Sequence, residues 1–187
     1  MKTASNCARG LVTGITLTAL ALLLALGSPA AVQSASPFDY SGQKMGIGSD
    51  LGLALFSMDI GAAFQWGATM KIQLHEGFHL EPGVHMAVKS GGWDLNFAPT
   101  PMYQFRFRKF PIHPYATFGP AVHIQHATID NKGYTKGRFA LHWGGGAEWL
   151  ITPQFSIFND YKYMLVLGSP APDIFTLTVG GYFYFDM

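Results

Sequence analysis

From about Lys44 onward the chain alternates between apolar and polar residues with a period of two. That period marks strands whose two faces meet different surroundings. The first run, Lys44 to Phe56, sets Met45, Ile47, Leu51, Leu53 and Leu55 against Gly46, Gly48, Asp50, Gly52 and Ala54. The second, Ala62 to Leu74, sets Phe64, Trp66, Met70 and Ile72 against Gln65, Thr69, Lys71 and Gln73. The third, Phe78 to Lys89, opposes Phe78, Leu80, Val84 and Met86 to His79, Glu81, His85 and Lys89. The fourth, Trp93 to Arg108, opposes Trp93, Leu95, Phe97 and Tyr103 to Asp94, Asn96, Gln104, Arg106 and Arg108. Pro99 and Pro101 each remove a ladder donor within it, which predicts a bulge or a kink.

Four further runs complete the set. His113 to Ile129 places Phe118, Val122 and Ile124 against Thr117, Gly119, His123 and Gln125. Arg138 to Leu150 places Phe139, Leu141, Trp143 and Trp149 against Arg138, His142, Gly144, Gly146 and Glu148. Gln154 to Leu165 places Phe155, Ile157, Tyr161 and Tyr163 against Ser156, Asp160 and Lys162. Ile174 to Phe185 places Phe175, Leu177, Val179, Phe183 and Phe185 against Thr176, Thr178, Gly180, Tyr182 and Tyr184. The connections are turn-like: Gly91-Gly92, "DNKG" at Asp130, "ITP" before Gln154 and the longer "GSPAPD" from Gly168. A Gly91-Gly92 turn of type I′ would bring Lys89 and Asp94 face to face. No helical pattern separates the runs, which excludes a parallel β-α-β architecture.

Composition decides which face is inside. Charged residues make up 12% of the 187 and aromatics 14%. In a soluble sandwich or barrel the polar faces would have to serve as a water surface, and they carry too few charges for that. The runs are also longer than ordinary strands and match tilted membrane strands. A closed barrel in lipid satisfies both observations: every strand is paired, the greasy face meets acyl chains and the polar face lines the lumen. The expected fold is all-β, a closed antiparallel eight-stranded transmembrane β-barrel.

The first 35 residues read as a cleaved signal peptide, with residues 36–187 forming the barrel domain. Lys2 and Arg9 precede the apolar run "LVTGITLTALALLLAL", and small residues follow, with cleavage near Ala30 or Ala35. The single cysteine, Cys7, lies in that segment. A net charge of +1 without a Lys/Arg cluster gives no footprint for nucleic acid.

Three stretches carry a family resemblance. "HPYATFGPAVHIQHA" resembles a "rPYvgaGlGy" strand. "GGGAEWLITPQFSIFNDYKYM" is similar to a "GaGveyrlTprlslrlEYrY" strand pair, and "VGGYFYF" resembles a closing "lGlsYrF". Together they resemble the small outer-membrane β-barrels of Gram-negative bacteria, the OmpA-like and OmpW-like superfamily. The resemblance implies an outer-membrane location reached through the periplasm, with help from periplasmic chaperones and the barrel-assembly machinery. It departs at the end, where Asp186 and Met187 follow the usual terminal aromatic.

An eight-stranded barrel is narrow enough to be filled by its own side chains. Asp50, Lys71, Glu81, Lys89, Asp94, Arg106, Arg138, His142, Glu148, Asp160 and Lys162 are therefore expected to form an interior polar network that plugs the lumen. Trp66, Trp93, Trp143, Trp149, Tyr161, Tyr163, Phe183 and Phe185 are expected outside, as membrane-interface aromatics. His79, Glu81 and His85 share a face but are too far apart along one strand to chelate a metal without help, so no metal or other cofactor is expected. His142 and Asp160 could meet across a hairpin. A lipid A-modifying enzyme would need a nucleophilic serine beside a histidine and an acid on the outer wall; His126 and Thr128 lie there without a serine. The expected role is structural, in a monomer surrounded by outer-membrane lipid. Passive transport of small solutes, as in OmpW-like barrels, is the alternative.

Overall fold

The computed structural model describes residues 43–57, 61–107, 110–130, 132–168 and 172–186. The expected signal segment, Arg108, and parts of two expected turns, at Asn131 and at residues 169–171, lie outside the described residues. Eight strands follow in order: β1 (Gln43–Phe56), β2 (Gly61–His75), β3 (Phe78–Lys89), β4 (Gly92–Gln104), β5 (Ile112–Ile129), β6 (Lys132–Thr152), β7 (Phe155–Val166) and β8 (Ile174–Asp186). Each pairs antiparallel with its chain neighbour, and β1 pairs with β8, so the sheet closes. Closure leaves no sheet edge whose backbone would need water.

The two faces separate as the alternation requires. Leu51, Phe64, Phe118, Phe139 and Val179 point outward and are more than half exposed, whereas Asp50, Glu81, Asp94 and Glu148 point inward and are at most 3% exposed. This is the reverse of a water-soluble core, and it is stable only with hydrocarbon outside.

Two local expectations are corrected. The β3–β4 turn is Ser90–Gly91, and Lys89 pairs with Gly92. Of the turn's two residues only Gly91 has a positive φ, 80°, so the turn is not type I′. Asp94 pairs with Ala87, one row diagonal to Lys89 on the same face. The second correction concerns Pro99 and Pro101. β4 continues through them as one strand, and its register with β3 is continuous from Gly92 to Tyr103. With β5, the same register holds before and after a blank stretch between Phe97–Val122 and Met102–Thr117. There is no bulge, because β5 supplies its own proline, Pro120, opposite Pro99. Two prolines facing each other leave no stranded donor for a bulge to accommodate.

Candidate functional site

The inward face holds the chemistry, and its geometry follows from strand order. In an eight-stranded barrel, strands four apart stand on opposite walls. Lys71 on β2 and Glu148 on β6 are such a pair, and Lys71 Nζ lies 2.5 Å from Glu148 Oε2. Lys162 on β7 and Glu81 on β3 are another, with Nζ 3.2 Å from Oε1. Both ion pairs span the lumen. Their remaining lone pairs are satisfied locally. Glu148 also accepts from Gln104 Nε2 at 2.6 Å and from the Tyr184 hydroxyl. Glu81 accepts from the Tyr182 hydroxyl, and Lys162 reaches Asp160 Oδ2 at 2.6 Å. A buried charge is tolerated only with this kind of pairing and hydrogen bonding.

Glycines set how closely the walls approach. A Cβ on Gly146 would lie 1.9 Å from the Asn159 carbonyl oxygen and 2.6 Å from the Tyr115 hydroxyl. No side chain fits there, so glycine is what lets β6 and β7 curve tightly around the network.

Smaller clusters occupy the rest of the lumen. Asp50 Oδ2 meets His85 Nε2 at 3.1 Å. Arg106 Nη2 contacts Gln73 Oε1 at 3.1 Å and His79 Nε2 at 3.2 Å. Asp94 is ion-paired with Lys89 at 2.6 Å and lies 3.6 Å from His123, whose Nδ1 meets Asn96 Oδ1 at 2.7 Å. Arg138 faces inward opposite His123. His142 does not meet Asp160: its row partner on β7 is Met164, and its Nε2 lies 3.0 Å from Thr100 Oγ1 on the other side. His79, Glu81 and His85 take separate partners, and no group of three metal-ligating side chains occurs among the described residues.

The sequence reading missed an apolar ring. Ala54 and Phe56, Ala63, Ala87, Ala98, Ala121, Ala140, Met164 and Val166, and Ile174 form one buried cluster to which all eight strands contribute. It lies between the two lumen-spanning ion pairs and the Lys89–Asp94 pair, whose Lys89 Nζ sits 4.3 Å from the Phe56 ring centroid. A row of small inward alanines was the available signal, but single alanines carry little weight in a period-two pattern.

On the outer wall, Trp66 lies between Leu51 and Met86, and Trp143 between Phe118 and Tyr163. Trp93 stacks on His126, ring centroids 5.3 Å apart. Tyr161 also faces outward, opposite Leu177, and the Tyr163 hydroxyl donates to Asp173 Oδ2 at 2.7 Å. Trp149, Phe183 and Phe185 face outward toward the other end of the barrel, Phe183 and Phe185 in edge contact. His126 Nδ1 contacts Thr135 Oγ1 at 2.9 Å, and neither Thr128 nor Thr135 is joined to an acid by any contact among the described residues.

Residues 18–183 match the model of the outer membrane protein beta-barrel domain. The chain belongs to that family. It is thus an outer-membrane barrel of the kind found in Gram-negative envelopes. Among solved structures it is similar to Neisserial surface protein A, NspA, with a TM-score of 0.66, 14% identity, and coverage of 75% of this chain and 97% of that one. The N-terminal β-barrel domain of Pseudomonas aeruginosa OprF gives 0.61 and 14%, covering 77% and 99%. Ail, the attachment invasion locus protein of Yersinia pestis, gives 0.56 and 13%, covering 76% and 97%. At these identities the likeness is one of fold. A comparison with curated protein sequences found no match.

Proposed function

We propose that this barrel is a structural element of the outer membrane whose lumen is closed along its axis and which carries out no reaction. The observation that carries the reading is the pair of ion pairs, Lys71–Glu148 and Lys162–Glu81, each joining opposite walls. A hydrated ion on the axis would have to part both. The apolar ring supports the same reading, because a narrow hydrophobic constriction excludes water. Outer-membrane lipid surrounds the monomer. Periplasmic chaperones and the assembly machinery handle the chain beforehand, since its outer face is insoluble without lipid. The interior polar residues therefore plug and stabilise, and no cofactor is used. Single-channel recording in a planar bilayer tests this: a silent membrane with purified wild-type protein is expected. Steady openings would overturn closure and favour passive solute transport.

A further inference from the structure

The outer wall is apolar almost throughout, and β7 breaks it once. Its alternation turns Ile157, Asn159 and Tyr161 outward, and Phe158 and Asp160 inward. Asn159 pairs with Ala147 on one side and Val179 on the other, in the ladder row that also holds Leu51. Val179 and Leu51 are 62% and 58% exposed, so this row faces hydrocarbon well inside the wall. Among the described side chains, Asn159 is the only Asn or Gln that a strand turns outward.

The barrel itself makes no use of that carboxamide. Tyr115 donates to the main-chain carbonyl of Asn159 at 3.2 Å and leaves the side chain out. Oδ1 accepts from nothing among the described residues, and Nδ2 makes no hydrogen bond among them. Ser49 also faces outward, but a single hydroxyl proton is easily returned to its own strand. A carboxamide carries two donors and an acceptor, and hydrocarbon satisfies none of them. The wall beside Asn159 is also low. Toward β5 and β6 the outward positions are Gly145, Ala147, Pro114 and Ala116, bounded along β6 by Trp143 and Trp149. Small residues let two surfaces in a membrane approach closely.

We propose that Asn159 and this low floor form a docking surface for a second copy of the chain, on which complete monomers pair reversibly within the membrane. Electrostatic complementarity names the occupant. A carboxamide is positive at its N–H edge and negative at its oxygen, so two of them meet through reciprocal N–H···O bonds. The amide torsion of asparagine is soft, and turning about it brings the covered oxygen to the surface. Depth makes the same choice. A twofold axis along the membrane normal carries Asn159 to an identical depth in the copy. A different protein would need its own polar group at that level, and lipid, which meets the remaining walls, has none there. Axial closure is untouched, because this surface lies outside the lumen.

The test is sedimentation equilibrium of the full chain in density-matched pentaethylene glycol octyl ether micelles, over a range of protein-to-detergent ratios. Wild-type protein is expected to show a reversible monomer–dimer equilibrium. Asn159→Leu removes the carboxamide and keeps the bulk, and is expected to weaken pairing about tenfold, for the loss of both reciprocal bonds. Ala147→Phe raises the floor and is expected to weaken pairing at least as much. Val84→Phe puts similar bulk on the outer face of β3, on the wall opposite β7, and is expected to leave the equilibrium unchanged. Heat-dependent gel mobility establishes beforehand that each variant is folded. Should Ala147→Phe misfold, Asn159→Leu and Val84→Phe still decide. Wild-type protein that stays monomeric at every ratio, pairing by Asn159→Leu at wild-type strength, or an effect of Val84→Phe as large as that of Asn159→Leu would each overturn the proposal.

Discussion

Glu148 shows how one residue governs this interior. It is buried at 1% exposure and receives Lys71, Gln104 and Tyr184 together. Lys71→Met would leave its carboxylate charged and uncompensated, which costs about 3–5 kcal/mol when a buried pair is broken from one side. Lys71→Met with Glu148→Leu removes both charges and is expected to recover most of that loss. Urea unfolding in lipid vesicles, read by tryptophan fluorescence, measures both. Gly146→Ala acts by a different route. Its methyl group would collide with the Tyr115 side chain and, more severely, with the Asn159 carbonyl of the adjoining strand, which cannot swing away. A loss of about 1–3 kcal/mol is expected, the range for overpacking, from the same titration.

At the level of strands, position along the wall decides the cost of a charge. Leu51 is 58% exposed and lies mid-strand between Trp66 and Val179. Leu51→Arg is expected to destabilise the barrel by about 2–4 kcal/mol, and Phe185→Arg, near the end of β8, by no more than about 1 kcal/mol. A midplane cost equal to the rim cost would mean that this face does not meet hydrocarbon. The strands themselves were legible. β3 spans Phe78–Lys89 as the alternation predicts, because period-two patterning is a local property and both solvents impose it. β4 ends at Gln104 rather than Arg108, where the chain leaves β3 to turn. The inward positions of Lys71, Glu81 and Glu148 were legible for the same local reason. Their partners were not. Lys71 and Glu148 are 77 residues apart, and which inward groups meet across the lumen depends on register and tilt accumulated around the whole sheet. Pro120 went unremarked for a related cause: its meaning comes from standing opposite Pro99, which only the pairing reveals.

The whole molecule behaves as its inverted surface dictates. Unheated, the folded barrel is expected to run at a different mobility from the boiled chain on a denaturing gel, since closed pairing resists detergent. A single mobility before and after heating would contradict closure. In plain buffer the outer face, with Leu51, Phe118 and Val179 bare, is expected to drive association. Light scattering checks this, and a monodisperse solution without detergent would count against the membrane reading. In a planar bilayer, Lys71→Ala with Glu148→Ala removes one of the two lumen-spanning pairs. No steady current is expected from it, because Lys162–Glu81 and the apolar ring both remain.

The lumen-spanning pairs also constrain biogenesis. In the closed barrel Lys71 is paired by β6 and Glu81 by β7, although the β2–β3 register already sets Lys71 opposite Glu81. In a half-built sheet left open in hydrocarbon, this ammonium and this carboxylate would have only each other to offset them. The exchange of partners, Lys71 to Glu148 and Glu81 to Lys162, is therefore expected to accompany closure of the barrel.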